Sequence, residues 1–337
     1  MKRIFILLFP VLLLGQYREI PEVVTKVATA AAGFLKLETS ARAIGMGGSF
    51  VASGRGVSGI PYNPSSIAFI EKREAYFSSV NYLAGIQHGV FTFGAKLSPS
   101  DYFGFHIFYL NSGEMKVTNE YYPDGTGEKF SVISMAIRGT YARRLTDRLK
   151  VGMSLNYIRD KIYEAGMNAV SFDLGSNFDT GIYGTILGMS ITNFGPEVQY
   201  NGESLHITVP DTIDVDERVS KITNKFPLPL VFRLGLENEV IGPGSSFIKN
   251  TTHSVRLSVD GIKPNDYTTY GSMGVEYGWR GMAFLRTGMH LNHDTAGMSL
   301  GTGLNIRLGR MALNVDYAFV DYDVLKVTHQ VAIGLAF

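Results

Sequence analysis

The sequence predicts an all-β protein: a transmembrane antiparallel β-barrel of about 14 strands with an N-terminal hatch in its lumen. Three observations lead to this fold class. Apolar residues alternate with small or polar residues along many segments, which is the period-two pattern of β-strands. No run of 18 or more apolar residues follows the N-terminal region, which argues against a helical membrane protein. A glycine-rich region without periodicity precedes the first strand.

The alternation is clearest between residues 297 and 337. The strands there run for about ten to twelve residues, more than the roughly five or six of soluble sheets and enough for a tilted strand to cross a bilayer. The second face is small and polar, as expected for a crowded interior rather than for the Lys- and Glu-rich surface of a soluble sandwich. The apolar face of the first of these strands consists of Met298, Leu300, Thr302, Leu304, Ile306 and Leu308.

Composition narrows the possible functions. The chain has 337 residues with a formal net charge of +1, so no global field would recruit nucleic acid. It contains no cysteine, which excludes disulfides, thiol catalysis and cysteine metal sites. We expect no cofactor and no enzymatic activity.

Three parts follow one another along the chain. Residues 1–15 resemble a secretory signal, because Lys2 and Arg3 precede an apolar stretch that is too short to span a membrane. Residues 16–72 form the N-terminal segment and the hatch, and residues 73–337 form the barrel. An exported barrel belongs in the bacterial outer membrane, with lipid around it.

The hatch prediction concerns residues 33–68. This stretch is rich in glycine and lacks periodicity, so it is either a disordered leader or a compact plug with tight turns. Interspersed apolar residues such as Phe34, Ile44 and Phe50 argue against disorder.

The strand pattern predicts an even number of strands with alternating connection lengths, as bacterial barrels have. Residues 113–129 and 194–225 are long connections on the predicted outer side, and residues 239–250 form a long connection on the periplasmic side that fits less well. The predicted strands span residues 73–83, 86–98, 101–112, 130–145, 148–163, 166–179, 184–193, 226–237, 251–263, 269–279, 282–291, 297–308, 310–320 and 327–337.

Charged residues on the small-residue face should point into the lumen, since an Arg or Lys facing lipid would cost about 2–4 kcal/mol. These charges either pair with one another and hold the plug, or line a substrate path. The predicted luminal charges are Arg233, Glu237, Arg256, Asp260, Arg307 and Asp316.

Three patterns that could carry chemistry have simpler explanations. Residues 297–301 spell G-x-S-x-G, but they lie within an alternating strand rather than at a strand-to-helix turn. His290 and His293 have a metal-like spacing, yet residues three apart on a strand face opposite sides. The acidic residues near Asp214 lack the spacing of a calcium loop. We therefore predict no catalytic or metal site.

Several short segments together resemble the PorV/PorQ proteins, which are FadL-like outer-membrane barrels. The resemblance implies a fourteen-stranded barrel with a luminal hatch, although Ser65 stands where FadL-like proteins carry the Ala of Asn-Pro-Ala. It assigns the hatch motif to Arg42, Gly45, Gly47, Gly48, Asn63 and Pro64. The segments that carry the resemblance are residues 33–37, 41–48, 63–64, 171–175, 191–196, 228–230 and the C-terminal strand ending in Phe337.

The resemblance implies a non-enzymatic component of type IX-like protein secretion that binds secretion-system subunits or cargo proteins. The alternative is passive transport of hydrophobic small molecules, as in FadL-like transporters. A soluble secreted β-protein fits neither the strand lengths nor the terminal Phe337.

Overall fold

The computed structural model describes residues 26–209, 217–220, 223–293, 297–322 and 327–337, and its fold is a closed antiparallel barrel of fourteen strands, as predicted. Neighbours in sequence pair throughout, and the first and last strands pair to close the barrel. The barrel strands are β1 (Arg73–Asn81), β2 (Gln87–Lys96), β3 (Asp101–Asn111), β4 (Val132–Arg144), β5 (Leu149–Ile162), β6 (Ala165–Asp179), β7 (Ile186–Phe194), β8 (Val231–Gly242), β9 (His253–Pro264), β10 (Tyr270–Trp279), β11 (Ala283–Leu291), β12 (Met298–Leu308), β13 (Met311–Asp321) and β14 (Val327–Ala336).

The predicted strand at residues 226–237 was placed about five residues too early, because β8 begins at Val231. Pro227 and Pro229 precede it, and a proline cannot donate a ladder hydrogen bond. Leu228 is instead buried, and its carbonyl accepts a hydrogen bond from the Asn265 side chain at 2.9 Å.

The connections differ in length between the two ends of the barrel. We call one the short-turn end, where residues 97–100, 145–148, 280–282 and 309–310 turn and the C-terminus lies. The other is the long-loop end, which carries residues 112–131 and 195–230. A short hairpin of Met115–Lys116 with Lys129–Phe130 lies within the first long loop. Residues 243–252 are the longest connection at the short-turn end.

The outer surface of the barrel is apolar, whereas the inner surface combines small and polar residues with an apolar patch that includes Tyr102, Phe108 and Ile158. Met298, Leu300 and Leu304 are 62%, 50% and 52% exposed, whereas Ser299 between them is 2% exposed. The same alternation continues on β14, where Val331 and Ile333 are exposed and Ala332 is buried. Among the described residues, no helix is long and apolar enough to cross a membrane.

Residues 39–70, which we call the luminal segment, lie inside the barrel. They contain one short helix, α1 (Ala41–Gly45), and 3-10 turns at Val57–Gly59 and Pro64–Phe69. Most of their side chains are buried, and their polar contacts reach strands on all sides of the wall, including β1, β6, β9, β10 and β12.

Inward-facing glycines let the backbone of the luminal segment rest directly on the barrel wall. A methyl group built on Gly152 would lie 2.5 Å from the Pro64 carbonyl carbon, and one built on Gly188 would lie 2.5 Å from the Val51 carbonyl oxygen. Such distances are far below ordinary contact, so a side chain at either position would displace the segment. This close packing explains why the second face of the strands is so rich in small residues.

Ile333→Arg should prevent normal assembly, because Ile333 is 47% exposed in the apolar belt and a midplane arginine costs about 2–4 kcal/mol. Gel mobility with and without heating should show loss of the compact outer-membrane form. Ile333→Leu is the matched control and should assemble normally. Equal assembly of both variants would show that this face does not meet lipid.

Gly152→Val should lower the free energy of unfolding by roughly 1–3 kcal/mol, since overpacking would push the luminal segment off the wall. Gly139→Val is the control, because a methyl group on this lipid-facing glycine has no neighbour within 4 Å. Urea titrations of both refolded variants, together with protease cleavage within residues 39–70, measure the effect. If the two valine variants behave alike, the segment does not depend on the glycine contact.

Candidate functional site

Arg42 of the predicted hatch motif anchors α1 to the barrel. Its guanidinium donates to both carboxylate oxygens of Glu276 on β10, at 2.7 and 2.9 Å. Next to it, Gly45 lies against Gly301 of β12, where a built methyl group would be only 3.0 Å from the Gly301 Cα. Gly47 and Gly48 follow with φ angles of +63° and +75°, which favour glycine.

Asn63 and Pro64 begin the last turn of the luminal segment. The Asn63 side chain accepts hydrogen bonds from the Ser65 backbone N–H at 3.1 Å and from its hydroxyl at 2.8 Å, so it caps the turn. Its amide nitrogen donates to the carbonyls of Val51 at 2.9 Å and Ser176 at 3.0 Å. Asn63 therefore ties two parts of the luminal segment to β6.

A network of buried ion pairs lies on the short-turn side of the luminal segment. Glu276 is its centre: besides Arg42, it pairs with Arg286 at 2.7 Å and with Arg256 at 3.3 Å. Arg286 also pairs with Asp316 at 2.6 Å. A second contact to the segment joins Arg55 and Glu237 at 2.7 Å.

Two of the predicted luminal charges, Arg256 and Glu237, pair with each other at 3.8 Å, and others among them have separate partners. Asp260 is 2% exposed, and one of its carboxylate oxygens accepts from the backbone N–H groups of Phe50 at 2.7 Å and Val51 at 2.9 Å. Arg233 donates to Thr192 at 3.0 Å rather than to the luminal segment. Arg307, in contrast, is exposed near the short-turn end and lies apart from the network.

The charged residues of the lumen that were not predicted include Glu38, Arg55, Glu276 and Arg286, as well as the buried pair Arg138 and Asp173. Glu276 and Arg286 occupy inward positions of β10 and β11, so the same alternation could have identified them. Glu38 and Arg55 lie outside the strands, where no periodic pattern indicates the direction of a side chain.

A lower cavity of about 220 Å³ opens beside the ion-pair network on the short-turn side. Its lining includes Arg42, Arg55, Tyr76, Glu276 and Gly334. The cavity is therefore bounded by the luminal segment and by charged and small residues of the wall.

An upper cavity of about 160 Å³ lies on the long-loop side of the same segment. Three tyrosines and three histidines line much of it, together with Glu38, Gln330 and a few apolar side chains. Burial raises the pKa of the Glu38 carboxyl to about 7, against the opposing effect of the Arg233 charge. The six aromatic and histidine side chains are Tyr82, His88, Tyr270, His290, His293 and Tyr322.

Residues 39–41 separate the two cavities along the β1–β14 part of the wall. The Gln330 amide donates to the Thr39 carbonyl at 2.8 Å from the upper side. The Tyr76 hydroxyl accepts from the Ala41 N–H at 3.1 Å from the lower side. Gln330 lines the upper cavity and Gly334 lines the lower one. The two residues are four positions apart on β14, which is roughly 13 Å, so only a short stretch of chain separates the cavities.

The histidine pair and the serine motif pack against neighbouring parts of the lumen. His290 and His293 were predicted to lie on opposite faces of a strand. Their ring centroids are instead 5.2 Å apart, because β11 ends at Leu291 and His293 lies beyond it. Ser299 of the G-x-S-x-G pattern accepts from the Gly47 N–H at 3.0 Å and supports the luminal segment.

Within the described ranges, no cluster of three or more His, Asp or Glu residues could hold a metal ion. The acidic loop residues Asp211, Asp214 and Asp216 lie outside these ranges. The predicted signal, residues 1–15, lies outside them too.

Comparison with known proteins identifies the fold. No protein-family model and no curated protein matches the chain. Among solved structures, the CymD monoaromatic hydrocarbon channel matches with a TM-score of 0.57 and 13% identity over 88% of this chain and 96% of that one. The toluene transporter TbuX of Ralstonia pickettii matches with a TM-score of 0.54 and 12% identity over 89% of this chain and 98% of that one. A FadL homologue of Pseudomonas aeruginosa matches with a TM-score of 0.51 and 12% identity over 88% of this chain and 97% of that one.

These matches show that the chain has the FadL-like fold. With its exposed apolar belt, the chain is an integral barrel of the bacterial outer membrane, as the sequence predicted. The narrower resemblance to the PorV/PorQ proteins is not confirmed.

Glu276→Gln should loosen the luminal segment, because it removes the charge that Arg42, Arg286 and Arg256 share. Breaking a buried ion pair costs about 3–5 kcal/mol. Hydrogen exchange should therefore become faster at the amides of residues 41–48 while the strands remain protected.

The matched control for this variant is Glu114→Gln. Glu114 pairs with Lys129 at 2.7 Å, but both side chains are largely exposed, so the loss of this pair should have little effect on stability. Unchanged exchange in the Glu276 variant would mean that other contacts hold the segment in place.

Proposed function

We propose that this barrel is a passive channel for hydrophobic small molecules, with residues 39–70 as the hatch that closes it. Its structural neighbours include a monoaromatic hydrocarbon channel and a toluene transporter. Those activities belong to the neighbours, because identities of 12–13% show only that the folds are alike. The support for a channel in this chain therefore comes from its own lumen.

The observation that carries the proposal is the pair of cavities on opposite sides of residues 39–41. The upper cavity lies toward the long-loop end and the lower cavity toward the short-turn end. A molecule of one-ring size could occupy either in turn. A displacement of the short segment between them would join the two cavities.

The contacts of the luminal segment suit a hatch. It is held by hydrogen bonds and ion pairs such as Arg42–Glu276 and Asp260 with Phe50 and Val51, in addition to apolar packing against the wall. Polar contacts of this kind can be exchanged for others during a movement. Removing the segment would open the lumen, because its backbone fills the space between the inward glycines.

The secretion role that the PorV/PorQ resemblance implies lacks comparable support. The structural neighbours named above are a hydrocarbon channel and a toluene transporter. Residues 210–216 and 221–222 of the long outer connection, where a partner protein could bind, lie outside the described residues. We therefore propose uptake of small molecules rather than protein secretion as the function of this barrel.

Gly334→Leu should slow uptake, because it fills the lower cavity without disturbing the wall. A methyl group built on Gly334 would lie 3.5 Å from the Asn314 Cβ, which is ordinary contact, so the site tolerates a side chain. Uptake of labelled toluene by cells that carry the barrel in a lipopolysaccharide-containing outer membrane should fall several-fold.

Gly139→Leu is the matched control on the lipid face and should transport like the wild type. Deleting residues 39–70 should instead admit small sugars that the intact barrel excludes. Toluene uptake that equals the wild type in the Gly334 variant, at equal barrel abundance, would refute a path through the lower cavity.

A further inference from the structure

The upper cavity has a lining unlike that of a purely apolar pocket. Its rings meet edge to face: Tyr270 and His290 are 5.7 Å apart at 75°, and Tyr82 and Tyr322 are 6.1 Å apart at 82°. The Glu38 carboxyl lies among them. The cavity thus combines ring surfaces with groups that form hydrogen bonds.

Three of the lining side chains make no hydrogen bond with any residue in the part of the chain that the structure describes: Glu38, His88 and Tyr270. His88 is only 4% exposed. Two further lining atoms, the His290 Nδ1 and the Gln330 Oε1, are buried and have no hydrogen-bond partner among the described residues. Burial also raises the pKa of Glu38 although the Arg233 charge opposes the shift, so that charge only partly compensates the buried carboxyl. Buried polar groups normally have partners, so their absence here points to a ligand.

The volume of the upper cavity limits the size of that ligand. It measures about 160 Å³. An apolar cavity of roughly 150 Å³ is known to hold one benzene molecule. Leu37, Ile44 and Val80 provide an apolar side against which a ring can pack. A single six-membered ring fits, and a long acyl chain does not.

We propose that the upper cavity binds phenols: single-ring aromatic compounds whose hydroxyl donates a hydrogen bond to Glu38 or His88. The inference rests on the proposed uptake function and names its substrate class. A plain hydrocarbon of the same size would leave the polar groups unpaired, which a site built for a hydroxyl disfavours strongly. An aromatic carboxylate would bring a second negative charge next to Glu38.

Equilibrium dialysis of the full-length barrel in nanodiscs tests the proposal, with empty nanodiscs as the background for partition into lipid. The probes are labelled phenol, toluene and benzoate. At about pH 8, above the raised pKa of Glu38, we expect phenol to bind about tenfold tighter than toluene or more, because a hydrogen bond to a charged group contributes at least that factor. Benzoate should bind more weakly than phenol.

Glu38→Leu should lower phenol affinity about tenfold and leave toluene affinity equal or higher. The barrel should still fold, since the variant replaces an unpaired buried carboxyl with an apolar side chain of similar length. Tyr270→Phe should reduce phenol affinity by a smaller factor, because His88 and Glu38 remain. Tyr109→Phe is the control, as Tyr109 is exposed on the lipid face near the same end of the barrel.

Equal affinities for phenol and toluene, or phenol binding that Glu38→Leu leaves unchanged, would overturn the proposal. If toluene uptake depends on Gly334 but phenol does not bind, the inference fails while the uptake function stands. If phenol binds in a Glu38-dependent way but no aromatic compound enters cells, the binding site stands and the uptake function fails.

Discussion

The backbone of the luminal segment rests directly against the barrel wall, and this close contact limits which residues the wall can carry. Side chains would keep the two apart, so the wall carries glycine where they meet, as at Gly152 and Gly188. The contact buries backbone groups that need hydrogen-bond partners. Ser299, Asp260 and Tyr76 provide them from the wall. This contact explains why the strands carry small and polar residues where the luminal segment rests on them.

The same constraint shapes the electrostatics of the lumen. Charged side chains cannot face lipid at low cost, so they point inward, where burial requires each to have a partner. Glu276 meets this requirement for three arginines at once. One of them, Arg42, belongs to the luminal segment. The ion pairs thus hold the segment in place while leaving a polar cavity beside it.

The two cavities differ in chemistry although they lie only a few residues apart. The lower one is bounded by paired charges, and the upper one by tyrosine and histidine rings around unpaired polar groups. A molecule that passed from one to the other would have to tolerate both surroundings. This favours a small ring with a hydrogen-bonding group over a long apolar chain, and it distinguishes the lumen from a uniformly hydrophobic conduit.

The barrel, most of its strands and the faces of their residues follow from the sequence pattern alone, because period-two alternation is a local property and the cost of charge in lipid makes it strict. The sequence also singled out Asp260 and Arg42. The strand misplaced at Pro227 and Pro229 shows where local chemistry overrides periodicity. The pairing of Arg42 with Glu276 and the position of Glu38 among aromatic side chains arise only in the folded barrel. Those partners are separated by more than 30 positions in the chain, and no local pattern specifies such pairings.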